Sequence, residues 1–423
     1  MATEKSPPFG IAEWNKVRRT LADDPGSYGL PQRVYGSVVL GSFNIRKLGK
    51  LATGSKHERD VRVWSFLADV CRHFDLLAVQ EVMSSTEGIR HLRELMGPEY
   101  GLIVSDTTGA LPGGGGGMPE RSAFLYNRAV VRRTELVTDV TYDRFEVLDT
   151  LVREFPGISR EVHAHRKAMT DFERAKAAGE KAKKPKLKMP SFLSFVRTPF
   201  AVGFEVQGFP RSEVYPFLAV CAHLLYGDSP EDRQREGAAL IKWMMGKARA
   251  RGTAPMNLVL FGDLNLDYDK PIKDLERIAA TVAVENKKAQ RRVQMSFPFL
   301  FAHPQTQQTP PPKGDVFRTN AALNQTFDQI GILTTDKRLK KRLATTPTGH
   351  AHPEVWGVQP EGPDYGVFNF SELFSRALKG KPFAELAGKE KSEFVRRYDF
   401  RVSDHMPIWY RFPLPRFPKG VDI

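Results

Sequence analysis

Polar residues able to do chemistry recur at the ends of apolar runs in this chain. Asn44 follows V-V-L-G-S-F, Glu81 ends D-L-L-A-V-Q, and His223 ends F-L-A-V-C-A. Asp263 and Asn265 follow N-L-V-L-F-G, Asp328 lies in Q-T-F-D-Q-I, and Asp404 and His405 stand just before M-P-I-W. Each alone has an ordinary explanation as a turn residue, a solvated strand end or a hydrogen-bonded core histidine. The series is harder to dismiss, because ligand sites gather where loops converge over the ends of a rigid sheet. Glu81, Asp263 and Asp404 are hard oxygen ligands, and Asn44 and Asn265 are neutral amide partners. Oxygen ligands with neither Cys nor a His cluster suit Mg²⁺, Mn²⁺ or Ca²⁺ rather than Zn²⁺. His223 and His405 each need a carboxylate to fix a tautomer and support an imidazolium. A divalent-cation site beside an acid–base pair is equipment for hydrolysing a phosphodiester.

Elements must deliver these residues to one place. Apolar runs predict strands at 38–45, 75–82, 100–105, 122–127, 214–223, 257–265, 325–332 and 406–412. Helical patterns lie between them at about 58–73, 86–96 and 231–250. Continuous apolar strands alternating with amphipathic helices indicate layered sheets covered by helices. Three stretches break the pattern. One holds five consecutive glycines, Gly113 to Gly117; another, 160–188, carries ten Lys/Arg against four acidic residues; the third is the Pro-rich T-P-P-P-K-G around 309–314. They read as insertions on one domain spanning 36–415, near 109–119, 156–192 and 270–318, with an N-terminal extension at 1–35.

Composition is that of a globular protein: 41% hydrophobic and 26% charged over 423 residues. There is enough apolar matter for a sizeable core, and no run approaches the 18 apolar residues of a membrane span. The net charge of +14 favours an anionic partner such as nucleic acid or an acidic membrane surface. Cys71 and Cys221 sit in apolar surroundings and read as buried free thiols. The N-terminus lacks the basic-then-apolar pattern of a secretory signal, so the expected location is cytoplasmic.

The order F-N-I-R, Q-E-V, A-H-L, G-D-L-N, F-D-Q-I and S-D-H-M-P-I resembles the endonuclease/exonuclease/phosphatase superfamily over about residues 38–412. Its details are most similar to the deoxyribonuclease I branch, in which P-E-R-S-A-F-L-Y-N matches a segment carrying a second catalytic carboxylate, here Glu120. The resemblance implies an α/β fold, a four-layer α/β sandwich of two packed mixed β-sheets flanked by helices. It further implies that His223 pairs with Glu120 and His405 with Asp328 as the acid–base couple. Glu81 is then the principal metal ligand, Asp263 and Asn265 bind metal or orient the scissile phosphate and its water, and Asn44 and Asp404 complete the shell. Arg46 in F-N-I-R, and Arg197 in S-F-V-R-T-P-F-A-V, match phosphate-binding arginines.

The chain departs from that branch in lacking a signal peptide and disulfides and in its long insertions. A-H-L-L-Y-G also resembles the form seen in deadenylases and sphingomyelinases of the superfamily. The expected function is therefore a divalent-metal-dependent DNA endonuclease. The alternatives are a phosphodiesterase acting on RNA or a phospholipid headgroup, and a non-catalytic nucleic-acid-binding module. Gly- and Lys-rich insertions argue for a polyanion over a lipid.

Overall fold

The computed structural model describes residues 8–51, 58–110, 117–142, 144–185, 187, 193–207, 212–224, 230–249, 257–265, 271–287, 292–297, 299, 318–336 and 365–414. The first sheet contains β1 (Ser37–Leu48), β2 (Leu76–Met83), β3 (Tyr100–Val104), β4 (Thr108–Ala110), β5 (Gly117–Asn127), β12 (Tyr365–Val367) and β13 (Ile408–Pro413). Its order is β12-β13-β1-β2-β5-β3, with β4 also on β5. The second contains β6 (Val131–Asp139), β7 (Phe200–Val206), β8 (Tyr215–His223), β9 (Asn257–Asp263), β10 (Gln294–Ser296) and β11 (Asp328–Thr334), in the order β10-β11-β9-β8-β7-β6. Each sheet is mixed. β1 and β2 run parallel in one, β8 and β9 in the other, and the remaining paired strands are antiparallel.

Strand periodicity explains the layering. Side chains two apart share a face, so Val38 and Leu40 of β1 enter the cluster between the sheets, beside Phe204, Phe217 and Phe261. Val39, Phe43 and Ile45 point the other way, into a cluster with α2 (Val61–Cys71), α3 (Glu87–Met96) and α7 (Phe370–Lys379). Both faces are buried, hence the near-continuous apolar run. The outer face of the second sheet is covered by α5 (Pro230–Arg249) and α6 (Pro271–Lys287). The result is two packed mixed sheets with helices outside, an α/β sandwich. Among the described residues no helix is long and apolar enough to cross a membrane.

Several elements differ from the expectation. The strand expected at 325–332 begins at Asp328, because the Thr319 hydroxyl accepts the Phe327 and Asp328 amides and ties 325–327 to residue 319 instead of to the neighbouring strand. Arg197 lies in the loop before β7, a strand for which no apolar run was singled out. Of the basic stretch, residues 160–177 lie in a single long helix, α4 (Arg144–Ala177), with Pro156 inside it; the rest follows the helix, and residues 186 and 188, like 111–116 and 301–317, lie outside the described residues. Helix α1 (Ile11–Asp23) gave no sequence signal, since it buries only Trp14 and Val17. Nor did α8 (Gly388–Arg396), whose buried residue is Phe394.

The N-terminal segment is packed onto the body. Phe9 and Trp14 meet Phe374, Trp14 meets Phe66, and Arg397 pairs with Glu13 at 2.8 Å. Deleting a buried aromatic leaves a cavity as well as losing transfer energy. Trp14→Ala should therefore lower unfolding free energy in urea by about 3–5 kcal/mol. A change near zero would show that this helix docks without supporting the fold.

Candidate active site

The parallel strands of both sheets end at the same edge of the sandwich, and their ends carry the polar residues. Asn44 is on β1, Glu81 on β2, His223 ends β8 and Asp263 ends β9. Antiparallel β11 starts there with Asp328, which sits opposite Asp263 in register, and His223 sits opposite Asp263 on its other side. Strand pairing alone thus sets three of the residues in a row.

Asp263 is the hub. Its Oδ2 lies 3.6 Å from His223 Nε2 and 3.5 Å from His405 Nε2. The same oxygen accepts from Asn44 Nδ2 at 3.2 Å, and Nδ2 also reaches Glu81 Oε1 at 3.2 Å. The far nitrogen of each ring meets its own carboxylate: His223 Nδ1 lies 2.8 Å from Glu120 Oε2, and His405 Nδ1 lies 2.9 Å from Asp328 Oδ2. Asp263 Oδ1 accepts the Asn265 amide, and Asn265 Nδ2 donates to the Leu224 carbonyl. Arg197 is turned inward, with Nε 3.1 Å from Glu120 and Nη1 on the Leu224 carbonyl. Arg46 likewise pairs with Asp404 at 3.1 Å and Asp399 at 3.6 Å, and lies over the Phe400 ring.

Backbone geometry delivers two of these groups. Glu81 has φ +56 and Asn265 φ +47, in the left-handed region that costs a residue with Cβ roughly 1–2 kcal/mol. At Glu81 the β2–β5 register shifts between Val79 and Val82. This breaks the alternation and turns the carboxylate toward Asn44 and the Lys47 amide. Gly262, in G-D-L-N, has φ +145, and a Cβ there would sit 1.8 Å from the Ala222 carbonyl oxygen. Only glycine lets β9 approach β8 so closely just before Asp263.

Every residue singled out from the sequence lies in this connected group. Two contributors gave no clear signal. Ser403 Oγ donates to the Asn44 carbonyl and accepts the amides of Arg46 and His405, tying β1 to the S-D-H turn. Its place in the motif was visible, but its role depends on a contact 359 residues apart. Buried Arg59 donates to the Arg46 and Val402 carbonyls; a lone arginine in a basic chain offers nothing to find. Burial pulls its guanidinium down to about 10 despite Glu81 and Asp404.

Oxygen donors here suit a hard divalent cation. The Oδ1 atoms of Asn44 and Asp404 are buried without a hydrogen-bond partner, and the Asn44 side chain lies against the Glu81 carboxylate. Asp263, Asp328 and His405 also bring one ligand atom each to within 4.8 Å of one another, a buried group that could hold a metal ion.

No protein-family model matches the chain. A curated deoxyribonuclease from Thioalkalivibrio sp. (strain K90mix) is 27% identical over 241 residues, covering 56% of this chain and 48% of that protein. The chain thus spans about half the length of the curated relative it matches. Among solved structures it is similar to an endonuclease/exonuclease/phosphatase family protein from Bacteroides thetaiotaomicron, at 11% identity over 89% of this chain and 94% of that one, with a TM-score of 0.39. It is also similar to the human Nocturnin catalytic domain, at 11% identity over 90% and 96%, with a TM-score of 0.44.

Both histidines are held toward the protonated form. Burial pulls His223 down, but the Glu120 hydrogen bond and Asp263 raise it on balance, against Arg197. Burial also opposes protonation of His405, yet Asp328 and Asp263 lift it well above the usual imidazole range. Burial pushes Asp328 up as well, so the two groups of this pair titrate together rather than separately. A histidine raised on folding contributes stability that is complete below about pH 6.5 and is lost as pH rises through its folded value. In Asp328→Asn the burial remains and the lifting charge is gone. Imidazole NMR should place His405 above 6.5 in the parent and lower in the variant, with a flatter alkaline limb in urea stability. An unmoved midpoint would mean that Asp328 does not govern this proton.

Proposed function

We propose that this chain is a divalent-cation-dependent phosphodiesterase that cuts DNA internally. The observation that carries the reading is one carboxylate oxygen of Asp263 between two imidazoles, each backed by its own buried carboxylate. Two proton-handling groups facing one point can serve the two sides of an in-line displacement. One of His223–Glu120 and His405–Asp328 takes the proton of the attacking water, and the other protonates the leaving oxygen. Asp263 and Asn265 orient water and phosphate between them. Arg46 and Arg197 reach phosphate from the rim of their pairs with Asp404 and Glu120.

Glu81, Asn44 and Asp404, with Asp263 and Asn265 adjoining, would hold Mg²⁺, or Mn²⁺ or Ca²⁺. The cation would supply charge stabilisation at the phosphate oxygens. His405 and Asp328 already spend donor atoms on each other, which favours the Glu81 side. The +14 charge and the deoxyribonuclease name of the curated relative support a nucleic-acid substrate. The unit proposed to carry the activity is 36–415, with 1–35 as an N-terminal extension whose described part, 8–35, packs on it. The two buried free thiols support work in a reducing cytoplasm.

Purified protein should nick plasmid DNA with Mg²⁺ and stop in excess EDTA. RNA or sphingomyelin cleaved in preference to DNA would transfer the reading to that substrate, and cleavage of none would leave a binding module. Glu81→Gln should lower the rate by on the order of 10²–10³, the scale of losing one electrostatic partner of a transition state, at unchanged far-UV circular dichroism. His223→Ala and His405→Ala should each remove most activity, and the double variant should be little worse than either, because members of one mechanism are non-additive. Losses that multiply would contradict the paired roles.

A further inference from the structure

A second layer of polar side chains lies directly beneath the site, inside an otherwise apolar interface. On strands, residues two apart share a face. Ser42 therefore stands under Asn44, Ser122 under Glu120 and Cys221 under His223, while Gln80 pairs with Asn44 in register and adjoins Glu81. One step deeper are Leu40, Ala78, Phe124 and Ala219, all in the apolar cluster between the sheets.

The layer is internally bonded. Gln80 Nε2 donates to Ser42 Oγ at 3.2 Å and to Cys221 Sγ at 3.1 Å. The Ser42 hydroxyl lies 3.4 Å from Gln80 Oε1, and the Cys221 thiol donates to the Val79 carbonyl at 3.9 Å. Ser42, Gln80 and Cys221 are fully buried. Three strands, β1 and β2 of one sheet and β8 of the other, are joined at one level. A buried amide costs about 1–3 kcal/mol unless its hydrogen bonds are made, and an apolar side chain of similar size would fill the same space with no such requirement. Stability alone therefore does not call for glutamine here. Geometry does: the next residue, Glu81, holds a left-handed backbone conformation, which persists only where the surroundings over-determine it.

We propose that Gln80, bonded to Ser42 and Cys221, is a positioning residue that fixes the Glu81 half of the site on one sheet against the His223 half on the other. This rests on the reading of Glu81 as a cation ligand and of His223 as an acid–base group. The amide anchors β2 on the residue before its bulge, so the Glu81 carboxylate and the His223 ring keep one separation although they belong to different sheets.

The test uses the full chain with Gln80→Met, of nearly equal volume. Urea stability should stay at or above that of the parent. Mn²⁺ affinity, measured by calorimetry without DNA, should weaken 10–100-fold, the usual effect of removing a group that orients a ligand. Plasmid kcat should fall by a similar factor with KM unchanged. The imidazole NMR signals of His223 should shift at fixed pH while those of His405 stay. Cys221→Ala should show the same pattern in smaller degree, and Cys221→Ser, which restores a hydrogen-bonding partner for the amide, should stay within threefold of the parent. Gln80→Met with parental Mn²⁺ affinity, kcat and His223 signals would overturn the proposal. If Gln80→Met fails to fold, Cys221→Ala behaving like Cys221→Ser overturns it. A parent that binds no Mn²⁺ refutes the cation reading instead, and unmoved His223 signals in Gln80→Met then refute the positioning role separately.

Discussion

One oxygen atom, Oδ2 of Asp263, is shared by two imidazoles and an amide, and the rest of the molecule is arranged around that sharing. A buried carboxylate is costly unless its neighbours compensate it. Here the compensation comes from both sheets: His223 on its own sheet, Asn44 from the opposite one, and His405 from the turn leading into β13. None of the three is a local contact. Sheet packing and the position of Asp263 therefore depend on each other, and a shift of either sheet would leave charge buried and unpaired.

The sandwich meets this demand by confining polar groups to one end. Between the sheets, the strands are apolar until their last turns of pleat, where the side chains become Ser, Gln and Cys and finally Asn, Glu, His and Asp. Two backbone devices finish the arrangement. A bulge at Glu81 reverses the side-chain direction that alternation would dictate, and the glycine before Asp263 admits a carbonyl where any Cβ would collide. Both are locally unfavourable or restrictive choices, placed where two neighbouring strands already hold the backbone.

Much of this was legible in the sequence because buried strands and site residues leave the same mark. An apolar run that stops at Asn44, Glu81, His223 or Asp263 announces both the strand and the group at its end. The partnerships inside the site were legible only through the motif order, since nothing in the spacing of Glu120 and His223 says that they touch. Other features were illegible for physical reasons. Helix α1 buries two side chains and has a polar surface elsewhere, so its pattern is too sparse to stand out. The long helix α4 was hidden by charge, as its Lys- and Arg-rich half reads equally well as a solvated loop. The pairs of Arg46 with Asp404 and of Arg197 with Glu120 depend on contacts between distant segments, which no local pattern announces.

Strand β13 lies second from one edge of the first sheet, between the short β12 and β1. The first strand made on the ribosome thus waits for one of the last. Until residues 408–413 have emerged, β1 keeps a row of unpaired amides and carbonyls along one side, next to a strongly apolar surface, a ready template for pairing with other chains.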